Sequence, residues 1–249
     1  MGFKRSEASF VDVFANDPAA NPKTAVGSGA LTAEVARDFS QGSMTSTGRA
    51  TDLAIAGQGF FVLNAADPSA ETPNIVYTRA GGFGLDAGGN LVSSSGARVQ
   101  MIANADPATI PTPPTESSTT TNAVIPLTSE AGASLTSINI DSKGLIGVTY
   151  ADNTTQYVGY VAVAKFPDPS ALKAIGSNNY VPTGDSGDAT FWPGGAPNAG
   201  DIMSATLEQS NVDITQELMG MLKAQQIYNG NARMLQTAME VASRITDKL

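Results

Sequence analysis

The side chains that could do chemistry are few and widely spaced. Cysteine and histidine are both absent from the 249 residues. That removes thiolate nucleophiles, zinc sites of the usual ligand type and histidine-based acid–base catalysis. Carboxylates remain. Glu34, Asp38 and Asp52 could be drawn as a glycosidase pair, yet nothing in the surrounding sequence sets one acid apart from another. Asp86 to Asn90 and Asp185 to Asp188 place oxygen atoms at the short spacing of a calcium loop, and turn chemistry accounts for both more simply. Gly27 to Gly29 imitates part of a phosphate loop, but no helix opens on it and no lysine follows in register. No cofactor and no metal is expected, and the chain reads as a scaffold rather than an enzyme.

The longest regular pattern lies in residues 210–249. Asp213 precedes Gln216 by the spacing of an N-terminal capping box. From there Ile214, Leu218, Met221, Gln225, Tyr228, Ala232, Leu235, Met239, Ala242, Thr246 and Leu249 recur at steps of four and three. All but Gln225 and Thr246 are apolar, so the spacing predicts a coiled-coil-like helix whose seam asks for a partner. Such a helix would run roughly 55 Å at 1.5 Å per residue. Gly220 and Gly230 each weaken it by about 1 kcal/mol, so packing must hold it together. Gln225, Gln226, Asn229 and Asn231 add a polar stripe, either solvated or used for hydrogen bonds between copies that set helix register.

Charge and composition narrow the partners. The chain carries 14 basic and 23 acidic residues, a formal balance of −9, which argues against nucleic acid. No run of 18 apolar residues is present, so membrane insertion is not expected. Met1 is followed by Gly2, Phe3 and Lys4 with no apolar stretch behind them, so a cleaved signal peptide is not expected either.

Ahead of the helix the pattern is mainly β. Residues 1–23 read as a connector, with turn material from Asn16 to Pro22. Residues 24–102 and 135–209 read as one β-rich domain. A tight hairpin is expected at Gly57 to Gly59, between the apolar runs 53–55 and 60–63, and a second at Ala87 to Asn90. Residues 103–134 hold Pro107, Pro111, Pro113, Pro114 and Pro126 among Ser and Thr, and read as a linker or short outer excursion. Pro169 to Gly176 reads as a short helix. Phe60, Phe61, Tyr77, Phe83 and Tyr160 are the expected aromatic core.

Four segments together resemble the bacterial flagellar rod and hook axial proteins. They are Gly2, Phe3 and Lys4; Thr51 to Phe61, with Asp52, Leu53, Ile55, Gly57, Gly59, Phe60 and Phe61; Tyr77 to Phe83 with Asp86 to Leu91; and Leu207 to Leu218, with Ser210, Asn211 and Val212. Residues 141–150 and 166–176 resemble the hook protein more than the distal rod protein. The resemblance implies a β-rich outer domain plus a coiled-coil-like terminal helix, in a subunit that polymerises into a hollow flexible tube transmitting motor torque. The distal rod is the alternative. Partners implied are further copies of the chain, other axial proteins of rod, hook cap and hook–filament junction, and the flagellar type III export apparatus. Family members usually carry an amphipathic helix upstream of the Gly-Phe-Lys segment, and Met1 stands where that helix would end. Gln226 and Gly230 occupy positions where the family usually has Arg and Ala. A different class, a secreted adhesin or carbohydrate-binding module, would need an exposed aromatic platform, for which Trp192 is the candidate.

Overall fold

Leu53–Ala56, Phe60–Asn64 and the centre of Thr155–Lys165 are apolar at consecutive positions, as strands covered on both faces are. The computed structural model describes residues 2–14, 27–65, 74–103, 119–197 and 199–246, with backbone alone at 12–14, 27–29, 33 and 34. Two units result, Met1–Asn211 and Val212–Leu249. In the first, the strands are β1 (Arg5–Phe14), β2 (Gly27–Asp38), β3 (Met44–Ser46), β4 (Leu53–Ala56), β5 (Phe60–Asn64) and β6 (Ile75–Thr78). Then come β7 (Phe83–Leu85), β8 (Leu91–Ser93), β9 (Arg98–Ala103), β10 (Thr121–Asn122), β11 (Leu135–Ile140) and β12 (Leu145–Tyr150). The remainder are β13 (Thr155–Lys165), β14 (Lys173–Gly176), β15 (Asn179–Val181), β16 (Thr190–Pro193), β17 (Asp201–Ser204) and β18 (Thr206–Glu208). The second unit is the helix α1 (Ile214–Thr246). The fold is thus mainly β with a long C-terminal helix.

Twelve strands share one antiparallel sheet, with β11-β12-β13-β9-β5-β6-β15-β14 as its main path. β13 is the hub, pairing with β12, β9, β5 and β16 along its eleven residues. Alternation along β5 divides the core. Phe61 and Leu63 enter one cluster with Leu53, Val99, Ile146 and Val163; Phe60 and Val62 enter the other with Tyr77, Tyr160, Phe166 and Tyr180. Edge-to-face pairs tie each side, Phe61 with Phe83 at 5.2 Å and Phe60 with Phe39 at 5.2 Å. All five expected core aromatics are buried.

The local expectations divide. The hairpin at Asp86–Asn90 forms, with Leu85 opposite Leu91. Its Asp86 carboxylate accepts from the Gly88 and Asn90 backbone N–H groups and from the Asn90 side chain, so the calcium-like spacing serves a turn. Gly57 to Gly59 is not a hairpin. β4 pairs with β17 while β5 pairs with β6, β9 and β13, and the glycine corner passes the chain from one sheet to another. Both flanking runs are buried, so each finds richer pairing elsewhere than with its neighbour in sequence.

Gly27–Gly29 opens the strand β2, which removes the phosphate-loop reading. The 169–176 helix shrinks to a 3-10 turn at Pro169–Ala171, capped by Asp168 and ended by the extended, buried Leu172. Lys173–Gly176 then pairs with β15. Within the expected 103–134 linker, residues 104–118 lie outside the described residues, but 119–134 belong to the domain. β10 pairs with β9, and Ala123 and Ile125 enter the main core cluster, because their alternation supplies a buried face despite the Pro126 that follows. In the expected N-terminal connector, β1 is paired antiparallel with β2 as a two-stranded ribbon, while 15–23 lie outside the described residues.

Candidate assembly site

Both chain-end segments of the β unit meet at one buried junction. Gly2 adopts φ +64, and its N–H donates to the Glu208 carbonyl at 3.0 Å. A Cβ there would lie 2.7 Å from the Ala80 nitrogen, so only glycine lets residues 2–4 pass this close to 79–80. That places Lys4, 2% exposed, with Nζ 2.7 Å from Glu208 Oε1 and donating to the Ser40 carbonyl, also at 2.7 Å. Glu208 Oε1 accepts the Gly42 N–H as well, at 2.9 Å. Arg79 Nη1 lies 3.6 Å from Glu208 Oε2, within ion-pair range but beyond a hydrogen bond. Burial is the main force lowering the proton affinity of the Lys4 ammonium and of the Arg79 guanidinium, and Glu208 opposes it at both. Asn211 finishes the junction. Its Oδ1 accepts the Arg5 N–H at 2.9 Å and its Nδ2 donates to the Asp38 carbonyl at 2.8 Å.

The other motif residues build rather than bind. Leu53, Ile55, Phe60 and Phe61 are buried core. Asp52 accepts from Thr47 Oγ1 at 2.7 Å, its carbonyl accepts the Thr206 N–H, and its backbone bridges to Gly82. Asp38 spends both oxygens on Ser40, whose hydrogen bonds hold its carboxyl below the ordinary range. Asp38 and Asp52, two of the acids once open to a catalytic reading, are thus held by their own neighbours, while the Glu34 side chain lies outside the described residues. No cluster of acids able to hold a metal occurs among the described residues. Trp192 is half-buried in β16 opposite Val163, with its indole N–H donated to Thr190, so it offers no exposed platform.

Two apolar surfaces are left uncovered. The ribbon exposes Phe10, Val11, Leu31 and Val35, with Val11 opposite Leu31. A two-stranded ribbon is marginal by itself, so these side chains ask for cover. On α1 no residue is buried. The seam residues Ile214, Leu218, Met221, Gln225, Tyr228, Leu235 and Met239 are all exposed; Leu249 lies outside the described residues. A second stripe of Ile227, Met234, Val241 and Ile245 is exposed too. At 100° per residue it lies about 130° round the helix from the centre of the seam, on a separate side. The seven-residue steps from 227 to 234 to 241 were its sequence signal. At the helix start Asp213 Oδ1 accepts the Thr215 N–H at 2.8 Å, an N-cap bond to the second helical residue. Gln216 makes no side-chain hydrogen bond among the described residues, so only the Asp213 half of the capping box forms.

Comparison with known proteins meets this geometry. Residues 54–148 match the flagellar hook protein FlgE/F/G D1 domain, and residues 203–248 match the flagellar basal body rod FlgEFG protein C-terminal domain. The flagellar basal-body rod protein FlgG of Bacillus subtilis is 30% identical over 99% of this chain and 87% of its own length. That of Borreliella burgdorferi is 32% identical over 95% of the chain and 83% of its own length. The flagellar hook protein FlgE of Caulobacter vibrioides is 27% identical over 79% of the chain but only 31% of its own length. The chain belongs to the flagellar rod and hook family of axial structural proteins.

Proposed function

We infer that the chain is a structural subunit of the flagellar rod, assembled with further copies of itself and with other axial proteins of the basal body. The observation that carries this reading is the extent of the matches: rod relatives align along 83% and 87% of their length, the hook relative along 31%. The sequence alone leaned toward the hook, through residues 141–150 and 166–176; the length of the matches reverses that preference. In this reading α1 is the assembly element. Apolar stripes on two sides suit a helix surrounded by neighbours, since a helix hydrophobic on more than one side needs cover on each. The exposed ribbon supplies a further contact between subunits. Heterologous contacts that do not close build a helical tube. Export through the flagellar type III route and a place in the flagellum follow from the same reading.

The test is location and assembly together. Tagged chain, supplied to cells lacking the native subunit, should label the rod of purified basal bodies under immunogold electron microscopy. Label along the hook would overturn the rod reading. Leu235→Asp puts a carboxylate into the seam at a cost of several kcal/mol per contact once buried. That variant should keep the β unit's melting behaviour and fail to build basal bodies that support motility. Normal assembly by Leu235→Asp would remove α1 as the assembly element.

A further inference from the structure

One buried cation of the domain is short of hydrogen bonds. Arg79 is 4% exposed, its guanidinium carbon stands 5.3 Å from the Phe60 ring centre, and neither Nε nor Nη1 has a hydrogen-bond partner among the described residues. The acid facing it, Glu208, lies 3.6 Å away through Oε2, and its Oε1 is already shared by Lys4 and Gly42. At this junction two buried cations therefore face one buried anion. Such a guanidinium is costly to bury without a complementary group.

Arg79 also lines an open cleft of about 520 Å³, bounded by the end of β2, the corner at 57–59 and the turn at Asp168–Ser170. Phe39 and Phe60 supply its apolar wall, and Arg37 stands half-exposed beside it with Nη1 tied to the Leu172 carbonyl. Asp38 and Asp168 at the rim oppose an anion. Both are exposed, and each is engaged by a neighbouring serine, so solvent and salt screen them far more than they screen Arg79.

We propose that this cleft binds a carboxylate, which meets the guanidinium of Arg79 while Arg37 adds a second cation at the mouth. A planar carboxylate is the natural complement of a guanidinium edge. It has two sources, a free small carboxylate or an Asp or Glu side chain of a second copy, and the chain carries 23 acids against 14 bases. The site stands apart from the axial-subunit reading, because a small carboxylate can bind a lone copy.

The experiment follows the Arg79 Nε–H resonance in the full chain, with sodium acetate titrated against sodium chloride at equal ionic strength. A saturable shift in acetate but not in chloride is expected, and Arg37→Gln should weaken it several-fold. A parallel series raises the protein concentration without acetate. A shift there that acetate reverses assigns the carboxylate to a second copy. In thermal melts, acetate should raise the wild-type midpoint and leave that of Arg79→Lys unmoved; where Arg79→Lys fails to fold, Arg37→Gln carries the comparison. A resonance that moves equally in both salts, or in neither and not with protein concentration, overturns the proposal and leaves Arg79 to Glu208 and the Phe60 ring.

Discussion

Replacing Glu208 by Gln removes one charge from the junction and almost no volume. In the native arrangement Glu208, 1% exposed, is the only buried anion against Lys4 and Arg79 among the described residues. The amide could still accept through Oε1 from Gly42 and Lys4, but a charge-assisted bond of about 1.5–3 kcal/mol would fall to a neutral acceptor's smaller share. The larger loss is electrostatic. Two cations would stay buried with no anion, and breaking a buried pair in this way costs about 3–5 kcal/mol. Against a total stability of about 5–15 kcal/mol, that is a third or more of the fold for many domains. Urea unfolding followed by Trp192 fluorescence would measure it, since Trp192 sits in β16 on the hub strand. Adding Lys4→Met to Glu208→Gln should recover part of the loss, because one stranded cation goes with it. A Glu208→Gln variant within 1 kcal/mol of wild type would refute the reasoning, and would mean that water reaches the junction.

Three further outcomes follow from named contacts. Gly81→Ala drives a Cβ to 1.6 Å from the Leu53 carbonyl oxygen, so it should cost about 3 kcal/mol or more, whereas Gly84→Ala meets nothing within 4 Å and should cost less than about 1 kcal/mol in the same unfolding assay. Burial pushes the Tyr77 phenol up to about 12, so between pH 10 and 12 the unfolded chain loses a proton that the folded chain keeps. Stability should therefore fall as pH rises through that window, and a Tyr77→Phe variant should fall less steeply in alkaline melts. Amide exchange along residues 214–246 of the monomeric subunit should be fast beside that of β5 and β13, because a helix with no buried residue has only its own propensity to protect it; slow exchange there would mean that the helix needs no partner.

The parts of the fold that sequence made readable are those with local causes. The seam from Ile214 to Met239, the apolar run of β5 and the Asp86–Asn90 turn each state their structure within a few residues. The core aromatics announced themselves by size and position. What stayed hidden depended on distant pairing. Lys4 and Glu208 stand 204 positions apart, and neither has a neighbour in sequence that suggests burial. The corner at 57–59 carried a hairpin's residues, yet the buried runs on either side had better partners in β17 and β13. Prolines around Ala123 and Ile125 masked an alternation of only two buried residues. Asp38, Asp52 and Asp86 were legible only as acids, and their hydrogen bonds to Ser40, Thr47 and Asn90 make them turn and bridge residues.

Stability and assembly therefore draw on different parts of the chain. The β unit closes its own junction with an ion pair, and such a pair is a poor source of stability compared with apolar packing of the same volume. What it does supply is registry: Lys4 can meet Glu208 and Ser40 only if residues 2–5, 40–42 and 207–211 are threaded in one way, and Asn211 checks the same threading from the other end. The helix does the reverse. None of its described residues is buried, and it presents apolar stripes on two sides. In the proposed assembly, a subunit built like this would close its junction by itself and leave the ordering of the helix to a neighbour. In that assembly the free energy of polymerisation would include the folding of α1, which would make addition at a growing end more favourable than pairing of two free subunits, where only one side of each helix could be covered.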